Sequence, residues 1–109
     1  RCRSAASVTV ADPGASEHHT GLAFDITVAG TTFKGTEQQI WLHEHCWDYG
    51  FIIRYQEDKE DITGFLAECW HIRYVGKEHA AIIYEMDIPL ETYIAALRAA
   101  ALSQYLEEE

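Results

Sequence analysis

The sequence SEHHTGLAFDITV at residues 16–28 passes directly from a polar turn into an alternating segment. Over residues 22–28 an apolar side chain occupies every second position, and Asp25 lies on the opposite face. This two-residue period predicts a β-strand with one apolar face. His18 lies in the loop just before the strand, and a loop that folds back over the strand can bring it close to Asp25.

Further elements are predicted on both sides of this segment. Residues 7–10, 51–55, 65–67 and 71–75 have β-type composition, whereas residues 37–47, residues 77–86 and the segment after Pro89 have helical patterns. Thr36 and Gln39 have the spacing of a capping box at the start of the first helix, and Gly50 follows its end. These elements predict an α+β fold, in which helices pack on one side of a small, mostly antiparallel sheet.

The composition indicates one small acidic domain. The chain has 109 residues, with 8 lysines and arginines against 18 aspartates and glutamates, and a formal charge of −10. This charge argues against duplex nucleic acid and anionic membranes as partners, because both would be repelled. No apolar run approaches the roughly 20 residues that span a bilayer, so we expect no transmembrane segment. The three cysteines have no CxxC spacing and are expected to be free thiols.

Histidine and acidic side chains are expected to meet where the first strand pairs with a later one. His71 opens that later strand, and pairing would bring it to His18 and Asp25 in a cleft on the sheet. Two histidines and one carboxylate, with an open fourth position, form the ligand set that catalytic zinc sites use. Glu68, three residues before His71, would be free to act on a water molecule at the metal.

Two motifs carry a family resemblance. SEHHTGLAFD at residues 16–25 resembles an SxHxxGxAxD motif, and ECWHIRYVG at residues 68–76 resembles an ExWHxRYVG motif. Both motifs, in this order, are typical of the VanY-type D-alanyl-D-alanine carboxypeptidases, which are zinc peptidases of the bacterial cell wall. The segments WLHEHCWDYGFIIRYQEDKEDITG (41–64) and IPLETYIAAL (88–97) are similar to the same family.

The resemblance implies roles for the motif residues. His18, Asp25 and His71 match the zinc ligands of the family, and Glu68 matches its catalytic base. The expected function is a zinc-dependent D,D-carboxypeptidase that hydrolyses the terminal D-Ala-D-Ala bond of peptidoglycan stem peptides or their precursors. From this substrate we expect the protein to act outside the cytoplasm, in the cell envelope or as a secreted protein.

Other motif positions have supporting roles in this interpretation. Ser16 matches a residue that helps to bind the terminal carboxylate of the substrate, and Trp70 is expected to line the peptide groove. Arg73 resembles a position that braces the site. Cys69 stands where the family frequently has proline, and a buried, inert thiol is expected there.

The motifs leave the extent of the catalytic domain and the exact activity open. Members of the family carry an upstream segment with a functional arginine, and nothing before Asp12 matches that segment. We therefore expect residues 1–109 to be a single zinc peptidase domain that lacks an N-terminal part of the catalytic domain. The alternative activities are a D-Ala-D-Ala dipeptidase and a stem-peptide endopeptidase. The alternative outside enzymology is a zinc-stabilised binding module without turnover. His43, His45 and His79 are expected to have structural or solvent-exposed roles.

Overall fold

The structure is a computed structural model that describes residues 17–107 of the chain. Its strands are β1 (Ala23–Asp25), β2 (Phe51–Tyr55) and β3 (Glu68–Tyr74). Its α-helices are α1 (Glu37–His45), α2 (Glu60–Thr63), α3 (Lys77–Met86) and α4 (Leu90–Glu107). Single 3-10 turns cover Glu17–Thr20, Cys46–Tyr49 and Glu57–Lys59. The strand predicted at residues 7–10 lies outside the described residues.

The three strands form one antiparallel sheet in the order β1-β3-β2. In the register of β1 and β3, Asp25 is paired with His71 and Ala23 with Arg73. On the other side of β3, Ile53 of β2 is paired with Ile72. The predicted α+β class with an antiparallel sheet is confirmed, and its register places Asp25 and His71 side by side on one face.

The prediction of two separate strands at residues 65–67 and 71–75 was wrong. A single strand, β3, begins at Glu68, and the residues before it make side-chain contacts instead of sheet hydrogen bonds. The amide of Phe65 donates to Oγ1 of Thr63, and the amide of Ala67 donates to a carboxylate oxygen of Glu60 at 2.7 Å. Because these donors are satisfied locally, the segment does not need a neighbouring strand.

The first strand is shorter than its alternation indicates. Only Ala23–Asp25 forms β1, although the amide of Ile26 still donates to the carbonyl of Trp70 at 2.9 Å. The small side chain of Ala23 is buried, whereas Leu22 and Phe24, from the predicted apolar face, are exposed. Ala23, Asp25 and His71 thus share one face of the sheet, on which Ala23 and His71 are buried and Asp25 is exposed.

Local sequence signals fix the ends of α1 and of the 3-10 turn after it. Oγ1 of Thr36 accepts a hydrogen bond from the amide of Gln39 at 3.1 Å, which confirms the predicted N-cap. The side chain of Gln39 accepts from the amide of Gly35. Gly50 ends the 3-10 turn with a φ of 92°, and a Cβ there would lie 2.8 Å from Cε1 of Tyr74. Glycine is therefore required at position 50.

Apolar side chains pack on both faces of the sheet. Ile52 of β2 contacts buried residues of α3 and α4, whereas the next residue, Ile53, packs with Cys46 and Ile72. Consecutive residues of a strand point to opposite faces, so the helices contact the sheet from both sides and not from one side as predicted. None of the helices within residues 17–107 has the length and apolar character needed to cross a membrane.

Candidate metal centre

Three side chains from three elements converge at the β1/β3 pair. His18 comes from the 3-10 turn Glu17–Thr20, Asp25 from β1 and His71 from β3, and their potential ligand atoms all lie within 4.8 Å of one another. Oδ1 of Asp25 lies 3.3 Å from Nε2 of His18 and 3.6 Å from Nδ1 of His71. The antiparallel register sets the last contact, because Asp25 and His71 are directly opposite each other.

The three side chains differ in their access to solvent. The side chain of His71 is 5% exposed, whereas those of His18 and Asp25 are 39% and 46% exposed. The group therefore has one buried donor and two donors that open to solvent. Two imidazoles and one carboxylate suit a zinc ion that keeps an open coordination position. The donor set thus fits the metal that the motifs predict.

Glu68 lies beside this group without belonging to it. Its Oε1 is 3.2 Å from Nδ1 of His71, which follows three residues later in β3, and its side chain is largely buried. Burial raises the pKa of the Glu68 carboxyl above its ordinary value, and the negative charge of Asp25 acts in the same direction. A carboxyl group in this place can exchange a proton with a molecule bound at the centre.

Glu17 contacts one of the three potential metal ligands, and no role was predicted for it from the sequence. Its Oε1 lies 3.1 Å from Nε2 of His71, and its Oε2 accepts hydrogen bonds from Nε of Arg54 at 2.6 Å and from a terminal nitrogen of Arg73 at 3.0 Å. Arg54 also forms a bidentate pair with Glu91 at the start of α4. Arg73 thus binds the same carboxylate that contacts His71, and its bracing role stays a prediction.

The charges of this network hold Glu17 in its ionised form. Burial alone would raise the pKa of Glu17, but hydrogen bonds from His71 and Arg54 and the charges of Arg54 and Arg73 outweigh it and lower the pKa to about 2. One signal was present in the sequence, since Glu17 lies inside the first motif beside His18. The arginines become mostly buried only in the folded chain, where their charges need a nearby carboxylate.

Two further site residues were predicted, Trp70 and Ser16. Trp70 is exposed and lines a cavity of about 290 Å³, whose walls also include Tyr55, Gln56 and Cys69. Its contact with a peptide stays a prediction. Ser16, the expected carboxylate-binding residue, lies outside the described residues.

Cysteine and histidine side chains outside the motif ligands have other contacts. Burial raises the pKa of the Cys69 thiol, and Cys69 does not belong to the metal-binding group found within residues 17–107. Nε2 of His43 lies 2.9 Å from the carbonyl oxygen of Cys69 and ties α1 to β3. Nδ1 of His79 lies 2.6 Å from the hydroxyl of Tyr93. Both histidines thus have structural contacts, as expected.

Comparison with protein families identifies a match over most of the chain. Residues 1–77 match the family model VanY, which describes D-alanyl-D-alanine carboxypeptidases. A D-alanyl-D-alanine carboxypeptidase of Enterococcus faecium is 45% identical over 85 residues. This alignment covers 78% of the chain but 28% of the enterococcal enzyme. The chain thus spans less than one third of the length of that relative.

Solved structures show the same similarity. The vancomycin-resistance D,D-pentapeptidase VanY from a VanB-type cassette, solved as a variant in complex with Zn(II), is 49% identical with a TM-score of 0.76. This match covers 83% of the chain and 51% of the pentapeptidase. The LD-carboxypeptidase LdcB is 45% identical with a TM-score of 0.75, over 83% of the chain and 45% of LdcB.

Proposed function

The chain belongs to the VanY family of D-alanyl-D-alanine carboxypeptidases, and on this basis we propose that it is a zinc-dependent D,D-carboxypeptidase. Its substrates would be peptidoglycan stem peptides or their precursors, from which it removes the terminal D-alanine. The convergence of His18, Asp25 and His71, with Glu68 beside them, is the observation that carries this proposal. Similarity to a pentapeptidase solved with Zn(II) supports the choice of metal.

His18, Asp25 and His71 would hold the zinc ion. When bound, zinc supplies a Lewis acid that lowers the pKa of a coordinated water from about 15.7 to near 7 and polarises a carbonyl group. The two exposed donors, His18 and Asp25, leave the centre open toward solvent, so a peptide can approach from that side. His71 forms the buried side of the centre.

Glu68 would act as the general base and then as the general acid. Its carboxylate takes a proton from the attacking water and returns it to the amine of the leaving D-alanine. The 3.2 Å contact with His71 keeps this carboxylate next to the ligand group, while its absence from the three-donor group leaves it available for proton transfer. Such a residue has no use in a purely structural zinc site, whose coordination is closed.

Ser16 and Trp70 would bind the substrate. In this proposal Ser16 contacts the terminal carboxylate of the peptide, and Trp70 lines the groove that holds the preceding residues. The role of Trp70 rests on its place in the second motif, since the 290 Å³ cavity that it lines contains none of the residues His18, Asp25 and His71 in its walls. Because peptidoglycan lies outside the cytoplasm, we propose that the protein acts in the cell envelope or as a secreted protein.

The test combines zinc content with D-alanine release from an acyl-D-Ala-D-Ala peptide. We expect the parent chain to bind zinc and release D-alanine. Glu68→Gln is expected to retain zinc and to lose about 10²–10⁴-fold in rate, the usual contribution of a general acid or base. Glu85→Gln is the matched control, since Glu85 is an exposed residue of α3. Equal rates for Glu68→Gln and the parent would overturn the role of Glu68.

A second candidate is an L,D-carboxypeptidase, which the similarity to LdcB favours. A pair of acyl peptides separates it from the first candidate, one ending in D-Ala-D-Ala and the other in D-alanine linked to an L-residue. Release of D-alanine from the first peptide supports the D,D-carboxypeptidase, and release from the second alone supports the L,D-carboxypeptidase. Hydrolysis of free D-Ala-D-Ala to two D-alanines, with no release from either acyl peptide, supports a dipeptidase. Zinc binding without hydrolysis of any of these three substrates supports a binding module.

A further inference from the structure

The two ring nitrogens of His71 have different surroundings. Nδ1 faces the metal centre, with Oδ1 of Asp25 at 3.6 Å and Oε1 of Glu68 at 3.2 Å. Nε2 faces away from it and lies 3.1 Å from Oε1 of Glu17. The ring is buried, so its orientation is set by these contacts and not by water. Nδ1 is thus the ring nitrogen on the side of Asp25, and Nε2 is the one on the side of Glu17.

The contact with Glu17 favours a proton on Nε2 of His71. Arg54 and Arg73 both donate to the other oxygen of Glu17, so this carboxylate is ionised and can only accept hydrogen bonds. A hydrogen bond between Glu17 and Nε2 therefore requires a proton on Nε2. A neutral imidazole with its proton on Nε2 has a free electron pair on Nδ1, which is the form that binds a metal.

We propose that Glu17 is a positioning residue that holds His71 as the Nε2–H tautomer and directs Nδ1 to the metal. This inference rests on the zinc site of the proposed function and adds a residue to it. Carboxylates that bind the second nitrogen of a metal-ligating histidine fix its tautomer and orientation, and their loss costs about 10–100-fold in metal affinity. Arg54, which donates a hydrogen bond to Glu17, also donates two to Glu91 at the start of α4.

A purely structural role is the alternative, in which Glu17 only compensates the charges of Arg54 and Arg73. The tautomer of His71 distinguishes the two roles, because charge compensation does not require a particular ring nitrogen to be protonated. Long-range ¹H–¹⁵N spectra of the metal-free parent chain, recorded over a series of pH values, report directly which ring nitrogen of His71 carries a proton. We expect the Nε2–H form of His71.

The variants are Glu17→Gln and, as matched control, Glu91→Gln. Both remove one carboxylate that binds Arg54, but only Glu17 contacts His71. In Glu17→Gln the side-chain amide can either accept a hydrogen bond from Nε2 or donate one to it, so the preference for the Nε2–H tautomer is expected to weaken. We expect the zinc affinity, measured by chelator competition, to fall about 10–100-fold. Glu91→Gln is expected to keep the tautomer and the zinc affinity of the parent.

The outcomes separate this inference from the proposed function. An Nδ1–H tautomer in the metal-free parent overturns the inference, even if Glu17→Gln does not fold. Unchanged zinc affinity in folded Glu17→Gln overturns it as well, and so does an equal loss in Glu91→Gln, which would assign the effect to the arginine network. Failure of the parent chain to bind zinc would overturn the proposed function itself.

Discussion

Replacement of Arg54 by methionine tests the charge network behind the metal centre. The guanidinium group donates one hydrogen bond to Glu17 at 2.6 Å and two to Glu91 at 2.7 and 2.9 Å, and its side chain is 10% exposed. Methionine retains an unbranched stem that can occupy the same space. The substitution therefore removes the charge and its hydrogen bonds with little change in packing.

The expected loss of unfolding free energy depends on the contacts and the hydration that Glu17 and Glu91 keep when Arg54 is replaced. Hydrogen bonds to charged groups contribute about 1.5–3 kcal/mol each, but their full sum is not expected here. Glu91 is about one-third exposed and can be hydrated, and Glu17 keeps its contacts with Arg73 and His71. Breaking a buried ion pair by removing one partner costs about 3–5 kcal/mol. We expect the free energy of unfolding to fall by this amount.

Urea denaturation in the presence of a chelator measures this loss without a contribution from bound metal. Arg98→Met is the control, because Arg98 is an exposed residue of α4 and its replacement is expected to change the free energy of unfolding by less than about 0.5 kcal/mol. A loss below about 1 kcal/mol for Arg54→Met, the range of exposed ion pairs, would refute the reasoning. It would mean that Arg54 is hydrated and does not stabilise the network.

Three further outcomes are expected. The pKa of Glu17 is lowered from 4.5 to about 2, so its stabilising contribution is present above about pH 4.5 and is lost as the pH falls toward 2. The difference in unfolding free energy between the parent and Arg54→Met should shrink over this range, and a constant difference in acid-titrated melts would contradict it. Gly50→Ala should cost more stability than Gly64→Ala, because both glycines have positive φ but only a Cβ at Gly50 meets Tyr74; equal losses would show that the contact relaxes. Finally, the net charge of −10 repels anionic wall polymers, so added salt should raise activity on intact cell wall but not on a soluble peptide. Salt-independent activity on intact wall would argue against this repulsion.

His18 and Asp25 could be predicted to lie close together because both belong to one short segment around the start of β1. The position of His71 depends on the pairing of β1 with β3, which the second motif indicated and local sequence does not show. Helix α1 was predictable from local sequence, since Thr36 and Gln39 form its cap within four residues. Local signals of this kind need no knowledge of the rest of the fold.

Features that depend on tertiary contacts were not predictable in the same way. The segment before β3 has β-type composition, but the side chain of Glu60 binds the amide of Ala67 and removes a donor that a strand would use. The exposure of Phe24 depends on how the sheet is covered, which alternation alone does not show.

Glu17 illustrates the limit at the metal centre. Its partners Arg54, Arg73 and His71 are 37, 56 and 54 residues away in sequence. The motif shows that an acidic residue stands next to His18, but the sequence does not show that two arginines and an imidazole converge on it. The contact depends on the pairing of all three strands, because β2 and β3 supply the arginines.

The register of β1 against β3 has a consequence for folding. β1 has three residues, and a slip of one residue would turn Asp25 to the opposite face of the sheet, away from His71. Zinc would bind only the native pairing and would shift the equilibrium among alternative pairings toward it. An ion held across β1 and β3 would thus act as a noncovalent crosslink that selects one register for a strand with few hydrogen bonds of its own.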